Sequence, residues 1–72
     1  MNRYAMVVFW SDEDRCWVAD APDLKSCSAL GDTAGAAVAE LEVAIEAWLR
    51  AAQESGHQLP PPRFRGTLEA AE

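Results

Sequence analysis

Basic residues are scarce in this 72-residue chain: six stand against twelve acidic ones, for a net charge of −6. Such a surface repels phosphate backbones, and no Lys/Arg cluster offsets the repulsion locally. Arg63 and Arg65 come closest to a basic patch, and they stand alone near the C-terminus. Direct nucleic-acid binding is therefore not expected. A basic protein partner suits this charge, because opposite fields speed encounter.

Cysteine and histidine are equally sparse, with Cys16, Cys27 and His57 as the whole set. Two cysteines with no second pair and one distant histidine do not make a zinc site. In the strand pairing argued below, the cysteines fall toward opposite ends of one hairpin, too far apart for a disulfide. A lone histidine with no nucleophile or carboxylate at a defined spacing is a poor catalyst, and His57 reads as a loop residue past a helix end. No apolar run approaches a membrane span. No apolar leader opens the chain either, since Arg3 and Tyr4 lead directly into a strand pattern. The expectation is a reduced, cytoplasmic protein that is not an enzyme and carries no catalytic residue, metal or cofactor.

Apolar residues, by contrast, make up half the chain and include three Trp. Seventy-two residues suffice for one domain, spanning 1–72, and a domain of this size buries only about 60% of the surface its unfolded chain exposes. Small size and high apolar content together favour an oligomer, expected to be a homo-dimer or homo-tetramer.

Tyr4 to Trp10 is a short run rich in β-branched and aromatic residues and predicts a strand. Ser11-Asp12-Glu13-Asp14-Arg15 is wholly polar and predicts a hairpin turn, with Cys16 to Asp20 as the return strand. Folding about Glu13 sets Trp10 opposite Cys16, Phe9 opposite Trp17, Val8 opposite Val18 and Val7 opposite Ala19. Alternation then groups Ala5, Val7, Phe9, Trp17 and Ala19 on one face. Tyr4, Met6, Val8, Trp10, Cys16 and Val18 fall on the other. Pro22 cannot donate a ladder hydrogen bond, so Ala21 to Lys25 predicts a loop, followed by a short strand near Ser26 to Leu30 that ends at Gly31.

Thr33 or Asp32 can cap a helix in which Ala37, Val38, Leu41, Ala44, Ile45, Trp48, Leu49 and Ala52 recur at three- and four-residue spacing. Gly56 is a natural stop, and Pro60-Pro61-Pro62 prevents continuation. Residues 63–72 are expected as a short edge strand or a frayed tail. The fold class is thus α+β, in the order β-β-β-α with a possible fourth strand.

One helix covers only one face of a three-stranded sheet. The face left over, with Tyr4, Met6, Val8, Trp10 and Val18, is a large apolar patch to leave in water. These five residues are the expected self-association interface, with Trp10 as its anchor.

The ordered set of parts resembles the HicB antitoxin family. It comprises a strand, a polar turn, a return strand at Trp17, Ala21-Pro22-Asp23-Leu24, Cys27, Gly31-Asp32-Thr33, an Ala-rich helix with Ala37, Ala44, Trp48 and Leu49, and Gly56 before Leu59-Pro60. No single piece is specific; the order and near-constant spacing across residues 4 to 62 carry the resemblance. It implies a partial ribonuclease H-like fold and a protein that occludes a small, basic, mRNA-cleaving HicA-like toxin. Many relatives add a C-terminal DNA-binding module, which is not expected in this chain. The family's loop reads Pro-Asp-Leu-Pro-Gly-Cys, whereas Lys25 and Ser26 precede Cys27 here. If the glycine serves a positive backbone angle, Ser26 must take it at some cost.

On that resemblance, Asp12, Glu13 and Asp14 in the turn and Glu42 and Glu46 on the helix form the acidic surface expected to face a toxin. Consecutive turn carboxylates point apart into water, so the same acids do not suggest a metal site. A self-assembling structural or regulatory module with no toxin partner is the alternative reading.

Overall fold

The computed structural model describes residues 3–63. Three strands, β1 (Val7–Ser11), β2 (Cys16–Asp20) and β3 (Ser28–Gly31), form an antiparallel sheet in the order β1-β2-β3, and one helix, α1 (Ala34–Glu54), follows. The fold is α+β, as the sequence pattern predicts. The expected edge strand or frayed tail at the C-terminus lies, beyond Arg63, outside the described residues.

The hairpin register differs by one residue from the expectation. Trp10 stands opposite Trp17, Phe9 opposite Val18, Val8 opposite Ala19 and Val7 opposite Asp20. The cause lies in the turn. Ser11 pairs with Cys16 inside the ladder, so the loop is Asp12 to Arg15, four residues rather than five. The Ser11 hydroxyl accepts from the Asp14 amide at 3.2 Å and lies 3.1 Å from Asp14 Oδ2, which fixes the first half of the loop. Arg15 closes it in the left-handed region, at φ 54°. A slip of one residue turns a whole strand over, because side chains alternate with period two.

The faces of β1 are therefore exchanged. Tyr4, Met6 and Val8 pack against the core under α1, together with Trp17, Ala29, Ala44, Trp48 and Leu49. Val7 and Phe9, expected beneath the helix, are exposed. On β2 the expected sorting holds, with Trp17 and Ala19 on the helix side and Val18 on the other.

The centre of the core is Ala19, Ala37, Leu41 and Ile45, closed at one end by Ala21, Leu24 and Cys27. These last three come from the β2–β3 connection, which folds inward. The Ala21 amide donates to Cys27 O at 2.9 Å and the Leu24 amide to Ala21 O at 3.0 Å. Ser26 holds φ 58°, so it does occupy the left-handed position that a glycine would fill without strain.

The helix follows its sequence signals closely. Thr33 is the N-cap, its hydroxyl accepting from the Ala36 amide at 3.0 Å. At the other end Gly56 has φ 76°, its amide donating to Gln53 O while the His57 amide donates to Ala52 O. This pair of bonds around a left-handed glycine satisfies two otherwise orphaned carbonyls. Gly31 sets the fit between helix and sheet: a Cβ there would lie 2.4 Å from the Ala37 nitrogen. No helix among the described residues is long and apolar enough to cross a membrane.

Candidate interface

The outer sheet face has no covering element among the described residues. Register places Phe9, Val18 and Leu30 side by side across all three strands, with Val7 next to them on β1. Phe9 is 47% exposed and Leu30 55% exposed. Aromatic and aliphatic side chains in adjacent register positions form one apolar stripe rather than scattered single exposures. Of the five residues expected to form an interface, the sheet places only Val18 in this stripe. The same sequence pattern yields Phe9 once the four-residue loop is known, and Leu30 joins through its pairing with Val18.

Trp10 lies on the helix side near the hairpin tip, 46% exposed. Its ring meets Trp17 edge to face, with centroids 5.8 Å apart, and its indole N–H donates to Asp12 Oδ1 at 2.9 Å. Trp10 thus braces the acidic turn from one side while the Ser11–Asp14 bonds brace it from the other. Asp12, Glu13 and Asp14 are all exposed, as are Glu42 and Glu46 on α1. The turn caps the end of the sheet at which α1 begins, since Trp17 pairs with both Trp10 and Gly31. Glu42 and Glu46 lie about 12 and 18 Å along the helix from its start, so the helix acids and the turn acids do not form one tight patch.

The far end of the molecule is held by different bonds. The Tyr4 hydroxyl donates to Pro60 O, the Trp48 indole to Lys25 O at 3.0 Å, and the Arg63 amide to Asp23 Oδ2 at 2.8 Å. Pro60-Pro61-Pro62 thus runs between the Tyr4 hydroxyl and Asp23 of the β2–β3 connection. His57 lines a shallow apolar notch with Trp48, Ala51, Ala52 and Ser55. Both cysteines are free thiols, and burial, followed by the nearby Asp20 charge, pushes the Cys27 thiol up from its ordinary value. No group of three or more His, Cys, Asp or Glu among the described residues is placed to hold a metal ion.

Residues 4–71 match the family described as HicB-like antitoxin of bacterial toxin–antitoxin system. The chain belongs to the HicB-like antitoxin family. Searches of the curated proteins and of the solved structures return no match. The family places the chain in the context of a bacterial toxin–antitoxin system, where a toxin of some kind is the counterpart.

Proposed function

We propose that this HicB-like chain acts by binding and occluding a small, basic, mRNA-cleaving toxin of the HicA type, without chemistry of its own. The observation that carries the reading is the set of exposed acids, Asp12 to Asp14 in the braced turn and Glu42 and Glu46 on α1. Bracing matters energetically, because a loop already held in place loses less freedom when a partner docks. The net charge of −6 would speed the encounter with a cationic toxin and make it depend on salt. Action inside the cytoplasm follows from this reading, since the target would be messenger RNA.

The test is titration calorimetry of the chain against a basic HicA-like toxin, at two salt concentrations. Glu42→Lys/Glu46→Lys leaves the turn bonds and the core intact and is expected to weaken binding at least 10-fold, the loss shrinking as salt rises. Unchanged affinity in that variant would remove the acidic surface from the account.

The alternative is a self-assembling module whose partner is itself. The apolar stripe of Val7, Phe9, Val18 and Leu30 favours it, because such a stripe is covered in most folded proteins. Self-association and toxin binding use different surfaces and are compatible.

A further inference from the structure

We propose that the β2–β3 connection, Ala21 to Cys27, is a hinged flap that closes one end of the core and opens as a unit while the sheet and α1 stay folded. Two bonds from other parts of the chain are its clasps. The Trp48 indole N–H donates to Lys25 O at 3.0 Å, and the Arg63 amide donates to Asp23 Oδ2 at 2.8 Å.

Three features of the segment point this way. Its backbone bonds close on the segment itself. The Ala21 amide to Cys27 O bond ties its two ends together beside Asp20 and Ser28, the last pair of the β2–β3 ladder, and the Leu24 amide to Ala21 O bond folds the turn between them. A piece whose own bonds survive when it swings away opens as one cooperative unit. Its side chains are also divided: Ala21, Leu24 and Cys27 are buried, whereas Pro22, Lys25 and Ser26 are exposed, so the segment covers the core as a single layer. Lastly, Ser26 is strained in the left-handed region at φ 58°, and opening relieves that strain.

Both clasps are placed to let go. They are exposed bonds, and competition from water keeps the net strength of each one small. The Trp48 ring borders the shallow notch it forms with Ala51, Ala52, Ser55 and His57, which gives the ring space to turn into. Arg63 follows Pro60-Pro61-Pro62, so its clasp links the flap to the C-terminal part of the chain. What opening uncovers is apolar, because Leu24 and Cys27 leave the Ala19–Ala37–Leu41–Ile45 centre. The flap does not depend on the toxin reading, whose test uses Glu42 and Glu46.

The test is thiol labelling of the Cys16→Ala chain, in which Cys27 is the one remaining thiol, with dithiobisnitrobenzoate from zero urea to the foot of the unfolding transition. In the closed form Cys27 is shielded and burial pushes its thiol up, so labelling reports the open form. It is expected to run at least about 10-fold faster than global unfolding permits, with a urea slope well below that of the full transition. Trp48→Phe, which keeps a ring but loses the N–H, and Asp23→Ala should each speed labelling about 2- to 12-fold, the range for one net hydrogen bond. Asp23→Asn retains an acceptor oxygen and should stay within about 2-fold of the parent. Ser26→Gly should slow labelling about 2- to 5-fold, since glycine holds the closed angle without strain. A urea slope equal to that of the full transition would overturn the flap, because Cys27 would then be reached only by unfolding the whole chain. Equal rates in the parent, Trp48→Phe and Asp23→Ala chains would overturn the clasps.

Discussion

Val8 and Phe9 are neighbours in the chain and end on opposite sides of the sheet. Val8 packs under α1 against the Ala19–Leu41–Ile45 core, while Phe9 stands nearly half exposed beside Val18 and Leu30. The two faces are similar in composition, since each draws aromatic and aliphatic residues from β1 and β2. What separates them is the helix, and what decides which residues meet the helix is the length of one turn. A sheet that is apolar on both sides has no hydrophobic pattern strong enough to specify register by itself. In this chain the specification passes to Ser11, Asp14 and Arg15.

The covered face should respond most strongly to substitution. Leu41→Ala, at a position with no exposed surface, is expected to cost about 2–5 kcal/mol, read by urea unfolding. Gly31→Ala should cost about 1–3 kcal/mol, because its methyl group would drive β3 away from the Ala37 backbone. Sharpening the comparison rather than breaking it, Ser26→Gly should raise stability by about 0.5–1 kcal/mol by relieving its positive φ. On the open face Leu30→Ser should change monomer stability by no more than about 0.5 kcal/mol.

Cys27 gives the covered face a pH signature. Its folded pKa is raised, so the folded state holds the thiol proton more tightly than the unfolded chain does. The associated stability is present below the ordinary thiol range and declines as pH rises through and above it. Cys27→Ala should flatten that alkaline decline in thermal melts, and an alkylating reagent should modify the partly exposed Cys16 before Cys27.

Much of this was legible in the residues. Each strand has its apolar run, the helix shows its core stripe from Ala37 to Ala52, and Thr33 and Gly56 mark its ends as caps of those types do. Even the strain at Ser26 could be read, from a serine standing where related loops carry glycine. The face of β1 could not be read, because a polar stretch of five residues is compatible with a four- or five-residue loop, and hydroxyl–carboxylate bonding inside it makes the choice. The same ambiguity of one residue moves Tyr4, Met6 and Val8 from the expected outer face to the helix side of the sheet. The role of Gly31 lay within Gly31-Asp32-Thr33, where a glycine before a helix cap marks close approach of strand and helix.

The central claim is that β1 presents Val8 to the helix and Phe9 to the outside. It is tested most directly by comparing Val8→Asp with Phe9→Asp in urea unfolding, at concentrations low enough to keep the chain monomeric. Val8→Asp should lose more than about 2 kcal/mol, because it buries a charge under α1, and Phe9→Asp should stay within about 0.5 kcal/mol of wild type. The reverse order, with Phe9→Asp unfolding and Val8→Asp tolerated, would mean that Trp10 pairs with Cys16 and that β1 turns Phe9, not Val8, toward α1.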